Sequence, residues 1–410
     1  MQETSTAPQR RPRLLLITHY FPAHRGGVEI VAGELAARLS SRFEIDWLAA
    51  DCDSPPHLES VGCAGQAAWN TLERFGLPWP IWKWKAWSAL WRAVRDADLI
   101  HLHDYIYPAN MVALALARLH RKPVVVTQHI GDIEYRNPLL RFTLRQVNRV
   151  VGRHLLCQAD QVVFISPRVR TLFERFTPFK RPPMFWPNGV DLATFHPLDN
   201  TQRQSLRARL GATPEQVIVL FAGRFVEKKG LAFIRQLAER QADWKWWFAG
   251  WGTPGPYDPN GWNLPQAHVW HDRRGAGMAE LYQAADVLVL PSYGEGFPLV
   301  VQESLACGTP VVISAETVLG MPGLPNAIRA EPYTPSQSLP EDWLKALSEV
   351  VTAPDREFIR AEGAEYASNT WDWDRLAHDY AALFNDLNNP GNRPHPPTQA
   401  GSEASAQIGR

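Results

Sequence analysis

The sequence predicts an α/β protein with two Rossmann-like, doubly wound domains that face each other across a cleft. Short apolar runs suited to β-strands alternate with helical patterns along most of the 410 residues, which is typical of parallel sheets covered by helices. The series stops in a stretch rich in Pro, Asn and Gly over residues 187–214 and then begins again. One domain on each side of a linker is the simplest arrangement that explains both observations.

Each series contains five strand candidates. In the first half they are Arg13–Thr18, Phe43–Ala49, Leu99–Leu102, Val124–Gln128 and Gln161–Ile165, with helices such as Val28–Ser40 and Asn110–Leu119 between them. In the second half they are Val217–Ala222, Lys245–Ala249, Val269–Trp270, Val287–Leu290 and Val311–Ile313. We therefore place the domains at 1–198 and 199–370, with disordered tails at 1–12 and 389–410.

The charge balance separates the two halves of the chain. The total is zero, with 42 Lys and Arg against 42 Asp and Glu, which argues against a nucleic-acid binder. Residues 1–198 carry +7 and residues 199–410 carry −7, so the first domain is the one expected to meet an anionic surface. Four scattered cysteines without CxxC spacing, and no apolar run of membrane-spanning or signal-peptide length, lead us to expect a cytoplasmic protein.

Glutamates stand beyond a strand of the second domain, where ligands of doubly wound sheets bind. In the run from Pro291 to Pro310, Glu295 lies at a strand-to-helix turn and Glu303 lies two turns into a helix that begins near Pro298. The backbone N–H groups at such a helix N-terminus are suited to a diphosphate. This segment is therefore a candidate nucleotide site.

Cations follow the first strand of the same domain. Arg224 and Lys229 lie in the turn after Val217–Ala222, and Lys228 is their neighbour. A guanidinium fork and an ammonium group at this position would stabilise a departing diphosphate more than an intact one. In the first domain, Gly26 and Gly27 precede a helix and would let a phosphate or sugar approach the backbone closely.

The Pro291–Pro310 run resembles the signature of the retaining glycosyltransferases of family four, which have the GT-B fold. Their frame is Pro-Ser, then Glu-Gly-Phe, then a second Glu eight positions after the first, then Ala-Cys-Gly-x-Pro-Val-Val. The resemblance covers residues 13–388 and includes Trp-Asp-Trp-Asp at 371–374. In this fold the helix that follows, here expected within 371–388, crosses back onto the first domain.

The resemblance also implies roles for single residues. Glu295 would hold hydroxyls of the donor sugar, Glu303 the nucleotide ribose, and Arg224 with Lys229 the leaving diphosphate. His129 ends a strand, where the family has a His that approaches the reacting sugar, whereas the pair His101 and His103 is structural or on the acceptor side. The predicted catalytic residues are His129, Arg224, Lys229 and Glu295, and the predicted donor contacts are Gly26, Gly27, Phe297, Pro298, Leu299 and Glu303.

The implied reaction moves a sugar from a nucleotide sugar to a glycan or lipid-linked acceptor with retention, in the synthesis of a cell-surface polysaccharide or glycolipid. Donor chemistry is expected on the second domain and the acceptor on the first. We expect no cofactor and no metal, because cations and helix ends already serve the diphosphate. Asp51-Cys-Asp53 resembles the metal-binding Asp-x-Asp of the other glycosyltransferase fold, but it runs into a proline-rich loop.

The sequence also contains features that could indicate a dinucleotide-binding protein or a glycoside hydrolase. Gly250–Gly255 matches the GxGxxG of dinucleotide-binding proteins, but Pro254 and Pro256 forbid the helix that this motif needs. Eight helical residues span about 12 Å, so Glu295 and Glu303 are poorly spaced for glycoside hydrolysis. A GT-B sugar-nucleotide epimerase and a non-catalytic sugar-nucleotide-binding protein remain as alternatives.

Two segments of the first domain are aromatic and basic. Residues 75–95 predict a helix from Lys83 with apolar side chains on one face, namely Trp84, Trp87, Leu90, Trp91 and Val94. The helix Leu139–Leu156 spaces four arginines four residues apart, at 141, 145, 149 and 153. These helices suit either an anionic membrane surface or a core-facing position with a wet basic side. The family's lipid-linked acceptors favour peripheral contact with the inner face of the cell membrane.

Overall fold

The computed structural model describes residues 10–24, 26–71, 73, 79–131, 138–293, 297–319, 321, 323, 325–335 and 337–389, with side chains of the fourth helix from 142 onward. Of the predicted tails at 1–12 and 389–410, residues 1–9 and 390–410 lie outside the described residues. Contacts divide the chain into two units. The first takes in residues up to 165, 169–186 and those from 377 on, and the second takes in 166–168 and 187–376. The unit changes at 186–187, upstream of the predicted boundary at 198.

The first unit is built on a parallel sheet. Its elements, with the two short strands of a separate hairpin (β4 and β5), are β1 (Arg13–Ile17), α1 (Gly27–Leu39), β2 (Glu44–Ala50), β3 (Val61–Gln66), β4 (Ala68–Trp69), β5 (Ile81–Trp82), α2 (Trp84–Asp96), β6 (Leu99–His103), α3 (Pro108–Leu119), β7 (Val124–Gln128), α4 (Pro138–Val147), α5 (Arg153–Leu156), β8 (Gln161–Phe164), α6 (Pro167–Glu174) and β9 (Met184–Phe185).

Strand order explains where the first unit offers a crevice. Among the described residues the sheet has seven strands in the order β3-β2-β1-β6-β7-β8-β9, and every pair is parallel. The chain winds outward from β1 in one direction and then outward from β6 in the other. The crevice therefore opens beyond the carboxyl ends of β1 and β6.

The second unit repeats this plan. Its elements are α7 (Asn200–Arg209), β10 (Ile218–Arg224), α8 (Leu231–Arg240), β11 (Lys245–Trp251), β12 (Ala267–Trp270), α9 (Ala276–Ala284), β13 (Val287–Leu290), α10 (Leu299–Ala306), β14 (Val311–Ser314), α11 (Ala315–Val318), β15 (Ile328–Glu331), α12 (Pro340–Val351), α13 (Arg356–Thr370) and the start of α14 (Trp373–Asn388). Its described strands are all parallel in the order β12-β11-β10-β13-β14-β15, so the crevice lies beyond β10 and β13.

Each sheet has its own apolar core. Strands β1, β7 and β13 each contain a run of three or four consecutive buried Val, Leu or Ile residues, because helices cover both faces of a parallel sheet. The prediction of two doubly wound parallel domains is thus confirmed. No described helix is long and apolar enough to span a lipid bilayer.

The apolar face predicted for the aromatic helix α2 is divided between the core and the surface. Leu90 and Val94 are fully buried against the first core, as expected for one face. Trp84, in contrast, is 75% exposed and Trp91 is 40% exposed, so these two indoles point away from that core. Of the two environments expected for this face, Leu90 and Val94 therefore occupy the core, whereas Trp84 and Trp91 remain at the surface.

The arginine-rich segment is also more complex than one regular helix. Residues Asn148–Gly152 form a π-helical turn between α4 and α5. The hydroxyl of Tyr105 donates a hydrogen bond to Asn148 Oδ1 at 2.5 Å, and a Cβ on Gly152 would lie 2.9 Å from the Tyr105 ring. Tyr105 thus occupies the space that the wider turn provides. π-turns of this kind are frequent at functional sites.

The last helix, α14, begins in the second unit and ends in the first. The Tyr380 hydroxyl lies 2.8 Å from Thr127 Oγ1 at the end of β7, and Phe384 packs edge-on against Phe43 at 5.7 Å. Both α14 aromatics are buried. Residues 377–388 therefore complete the core of the first unit.

Candidate functional site

Two loops at the carboxyl edge of the second sheet are held together. Gly230 has φ +72°, and a Cβ there would lie 2.1 Å from the Pro291 carbonyl oxygen, so only glycine fits. The backbone N–H of Tyr293 donates to the Lys228 carbonyl at 3.1 Å. The turn after β10 and the segment after β13 are thus fixed side by side, at the crevice that the strand order predicts.

The two predicted cations lie in this turn. Arg224 is the last residue of β10 and is exposed, and Lys229 ends a short 3₁₀ turn. The stem of Lys229 runs over Gly223, since its Cε would lie 3.7 Å from a Cβ placed there. The structure therefore brings Arg224 and the Lys229 stem to the same end of the same strand. Both side chains are cationic, which is the property that the predicted diphosphate contact requires.

The glutamate-rich segment is described only in part. Glu295 lies outside the described residues, together with its two flanking glycines. Phe297 is buried and packs edge-on against Trp371, and Pro298 precedes α10, which begins at Leu299. The side chains of Phe297 and Pro298 face protein, so what this segment offers a ligand is backbone N–H groups at the helix start.

Glu303 lies inside α10 next to a buried tyrosine. The Tyr282 hydroxyl donates a hydrogen bond to Glu303 Oε2 at 2.9 Å. Burial raises the pKa of Glu303 to about 7, and this hydrogen bond opposes the rise only in part. The carboxyl group therefore changes its protonation state near neutral pH, where an ionised carboxylate would accept hydrogen bonds from hydroxyl groups.

In the first unit the paired glycines stand at the start of α1. Gly26 precedes the helix and Gly27 is its first residue. A Cβ on Gly26 would lie 2.0 Å from Oε2 of Glu29, whereas nothing lies within 4 Å of a Cβ on Gly27. Gly26 is needed to leave room for a buried carboxylate, and Gly27 faces open space where a ligand could approach the backbone.

The Glu29 carboxylate is part of a contact that the sequence reasoning missed. Its Oε1 lies 2.8 Å from Nε2 of His19, and both side chains are almost fully buried. The His19 ring stacks on Tyr107 with centroids 3.8 Å apart and planes 8° apart. His19 follows β1 and Tyr107 follows β6, so this stack spans the crevice of the first sheet. The available signal was the position of both residues just beyond adjacent strand ends.

His129 lies at the same edge, one residue after β7. Its Nε2 is 2.9 Å from Nδ1 of His103, and one ring donates while the other accepts. Burial lowers the pKa of His129 to about 3, with the neighbouring histidines His101 and His19 lowering it further. His129 is therefore a neutral imidazole at neutral pH, able to make hydrogen bonds but not to supply a fixed positive charge.

Asp104 holds the backbone beside this histidine and was not predicted. It lies in the left-handed region at φ +62°. Its Oδ1 accepts hydrogen bonds from the backbone N–H groups of His129 at 2.7 Å and Ile130 at 3.0 Å. Burial raises the pKa of Asp104 to about 6, and the two backbone hydrogen bonds oppose that rise. Asp104 thus fixes the position of the chain at His129.

Contacts within the protein account for Asp53 and for Gly250 of the GxGxxG match. Asp53 Oδ2 lies 2.8 Å from His24 Nδ1, so this aspartate already has a partner. Within the described ranges no group of three or more His, Cys, Asp or Glu side chains is arranged to hold a metal ion. The described structure has no helix at the start of the GxGxxG match: β11 runs to Trp251, and a Cβ on Gly250 would lie 1.9 Å from the Gly223 carbonyl. Gly250 therefore allows β10 and β11 to pair closely.

Comparison with known proteins identifies relatives for both units. Residues 25–194 match the family model "Glycosyltransferase Family 4", and residues 216–352 match "Glycosyl transferases group 1". The chain is 26% identical over 92% of its length to D-inositol 3-phosphate glycosyltransferase of Salinispora tropica, of which it covers 86%.

Solved structures show the same fold. Sucrose-phosphate synthase of Thermosynechococcus elongatus superposes with a TM-score of 0.72 at 21% identity, over 92% of this chain and 99% of that one. Anabaena HepE in complex with UDP-glucose superposes with a TM-score of 0.70 at 15% identity, over 92% of this chain and 100% of that one. At these identities the likeness establishes the fold.

Proposed function

Because this chain belongs to the family-4 glycosyltransferases and has their GT-B fold, we propose that it transfers a sugar from a nucleotide sugar to a glycan or lipid-linked acceptor with retention. The observation that carries this proposal is the pair Arg224 and Lys229, which lie at one strand end beside the Pro291–Tyr293 loop. The structure of HepE with UDP-glucose supports a nucleoside diphosphate sugar as the donor class. A cell-surface polysaccharide or glycolipid is the proposed product.

The proposed reaction needs charge stabilisation more than a covalent intermediate. The bond between the anomeric carbon and the diphosphate oxygen breaks, and a bond to the acceptor oxygen forms on the same face. The departing diphosphate takes the acceptor's proton. Arg224, Lys229 and the N–H groups at the start of α10 would stabilise the negative charge that develops on the diphosphate. We propose that these groups serve in place of a metal.

Other groups would position the donor. Glu303 in its ionised form would accept hydrogen bonds from ribose hydroxyls, and Glu295 would bind hydroxyls of the sugar. Neutral His129, fixed by Asp104 and His103, would bind a sugar hydroxyl without adding charge near the oxocarbenium-like carbon. Gly27 would admit a donor phosphate to the start of α1.

Replacing the ammonium group tests this assignment. Lys229→Met should lower kcat/KM for transfer by roughly 10²–10³, the usual cost of removing one group that stabilises transition-state charge. Lys245→Met is the matched control, because Lys245 begins β11 at the opposite edge of the sheet. Unchanged transfer by Lys229→Met would remove the proposed site. The coupling constant of the anomeric proton, measured in donor and product, shows whether the anomeric configuration is retained. Turnover of the donor without any acceptor would instead favour an epimerase.

We also propose that the first unit contacts an anionic membrane surface. Three exposed apolar side chains lie on β4, β5 and the start of α2: Trp69 is 55% exposed, Ile81 40% and Trp84 75%. Lys83 and Lys85 flank Trp84, and the Lys85 ammonium lies 5.4 Å from the Trp84 ring centroid. Indoles with adjacent cations are typical of protein surfaces that bind at the headgroup level of a bilayer.

A further inference from the structure

A cavity of about 560 Å³ lies in the first unit between α4, the π-helical turn and the end of α6. This volume is within the usual range for sites that take small molecules. Its lining residues are Phe142, Arg145, Gln146, Asn148, Arg149, Leu172, Arg175 and Phe176. None of them belongs to the donor site assigned above.

The lining combines positive charge with an apolar wall. Arg145 lies on α4, Arg149 lies in the π-helical turn, and Arg175 directly follows α6. Arg149 and Arg175 are exposed. Glu174, the neighbour of Arg175 in sequence, is paired with Arg170 at 2.8 Å. Guanidinium groups in this number are suited to a phosphate, which accepts paired hydrogen bonds from them.

The remaining wall is aromatic and aliphatic. Leu172 and Phe176 line the cavity from the α6 side, and Phe142 lines it from α4 with 60% of its surface exposed. A bare inorganic ion would leave these side chains in water. A phosphate that carries an apolar group would cover them and would gain the free energy of burying that surface.

The cavity is also tied to the chain beside His129. Asn148 lines the cavity, and its side-chain amide lies 3.5 Å from the Gly131 carbonyl, two residues after His129. The Tyr105 hydroxyl holds the same asparagine from the end of β6. The cavity wall and the His129 segment therefore share one support.

We propose that this cavity binds the phosphate group of an organic phosphate ester with an apolar chain. Binding of this ester does not depend on the proposed transferase function. The arginines would hold the phosphate, and Phe142, Leu172 and Phe176 would contact the chain. The ester could be a soluble compound or a membrane lipid, since both present the same chemistry.

Calorimetric titration of the full chain with geranyl phosphate tests the site, with inorganic phosphate and geraniol as reference compounds. We expect geranyl phosphate to bind at least roughly tenfold more tightly than either reference, and Arg149→Gln with Arg175→Gln to weaken it by roughly a further tenfold. The matched control is Arg92→Gln with Arg118→Gln, two arginines on α2 and α3 outside the cavity, which should bind like the wild type.

Equal affinity for geranyl phosphate and geraniol, or unchanged affinity in the Arg149/Arg175 variant, would overturn the proposal. Vesicles that contain phosphatidic acid then separate the two sources, measured on protein in which Trp69→Ala and Trp84→Ala remove the proposed membrane surface. Loss of the remaining vesicle binding when the two arginines are also replaced identifies a lipid. Vesicle binding that does not depend on the two arginines identifies a soluble ester. Thermal stabilisation by UDP-glucose, measured on the Arg149/Arg175 variant, reports the donor site alone. If UDP-glucose does not stabilise this variant, the result counts against the proposed transferase function and does not affect the proposed phosphate site.

Discussion

The adjacent glycines at the start of α1 have opposite surroundings. Gly26 is enclosed, because the buried Glu29 carboxylate occupies the position of a Cβ, and Gly27 is open. Both were singled out from the sequence for the same reason, close approach of a ligand. In the structure, packing requires a glycine at position 26, whereas the backbone at Gly27 is open to an approaching ligand.

Alanine substitutions distinguish the two glycines. Gly26→Ala should lower the free energy of unfolding by roughly 1–3 kcal/mol, because Glu29 would have to leave its place beside His19. Gly27→Ala should change it by less than roughly 0.5 kcal/mol. Urea unfolding of both variants checks this, and equal midpoints would show that Glu29 moves aside freely.

The proposed contact between Glu303 and the donor predicts that donor binding depends on pH. Since its pKa is raised from 4.5 to about 7, the carboxyl is protonated below neutral pH and is then a weaker hydrogen-bond acceptor for the donor's hydroxyl groups. Donor affinity should therefore rise as the pH rises through about 7 and should be flat in Glu303→Gln. Titration with UDP-glucose from pH 5.5 to 8.5 measures this, and a parallel pH profile in the variant would contradict it.

The raised pKa of Glu303 also makes the stability of the fold depend on pH, in the direction opposite to donor affinity. A folded-state pKa above the ordinary value means that the fold binds a proton more tightly than the unfolded chain, so this group lowers stability as the pH rises from about 4.5 through about 7. The wild type should thus lose stability relative to Glu303→Gln over that range. A constant difference in melting temperature across the range is the result that would exclude this linkage.

At the scale of elements, α2 combines a packed strip with exposed indoles. Leu90 and Val94 are buried in the core, and Trp84 contributes little to it. Leu90→Ala should cost roughly 2–5 kcal/mol of unfolding free energy. Trp84→Ala should leave stability nearly unchanged but weaken flotation with anionic vesicles. Vesicle binding that survives Trp84→Ala combined with Trp69→Ala would show that this surface does not contact the membrane.

Elements whose identity depends on local pattern were predictable. The strands β7 and β13 match their predicted bounds, because a buried parallel strand is a continuous apolar run. The edge strand β3, Val-Gly-Cys-Ala-Gly-Gln, was missed, since it is half exposed and has little apolar pattern. The π-helical turn was missed as well, because it depends on Tyr105, which is 43 residues away from Asn148.

The residues of the candidate site were also predictable only where they lie close together in the sequence. Arg224 and Lys229 lie in one turn, so their spacing in the sequence already placed them together. The stack of His19 on Tyr107 joins loops that follow different strands, and only the strand order brings them together. Asp104 was missed for a related reason. Its partners are backbone N–H groups, and a pattern of side chains in the sequence does not indicate such contacts.

At the scale of the whole molecule, α14 connects the stability of the first unit to the end of the chain. Phe384 is fully buried against Phe43 and His101. Phe384→Ala should cost the first unit roughly 3–5 kcal/mol, whereas Asn385→Ala, on the exposed side of the same helix, should cost almost nothing. Hydrogen exchange should lose protection in β6 and β7 and keep it in β10 and β13. Uniform loss in both sheets would refute this assignment.

The path of α14 also has a consequence for synthesis. The sheet of the first unit is complete once residue 186 has been made, but Tyr380 and Phe384 arrive about two hundred residues later. At roughly 5–20 residues per second, the ribosome needs about 10–40 seconds to make the intervening stretch. During that interval the surface formed by Phe43, His101 and Thr127 has no helix over it. The first half of this protein is therefore the first to be translated and the last to be finished.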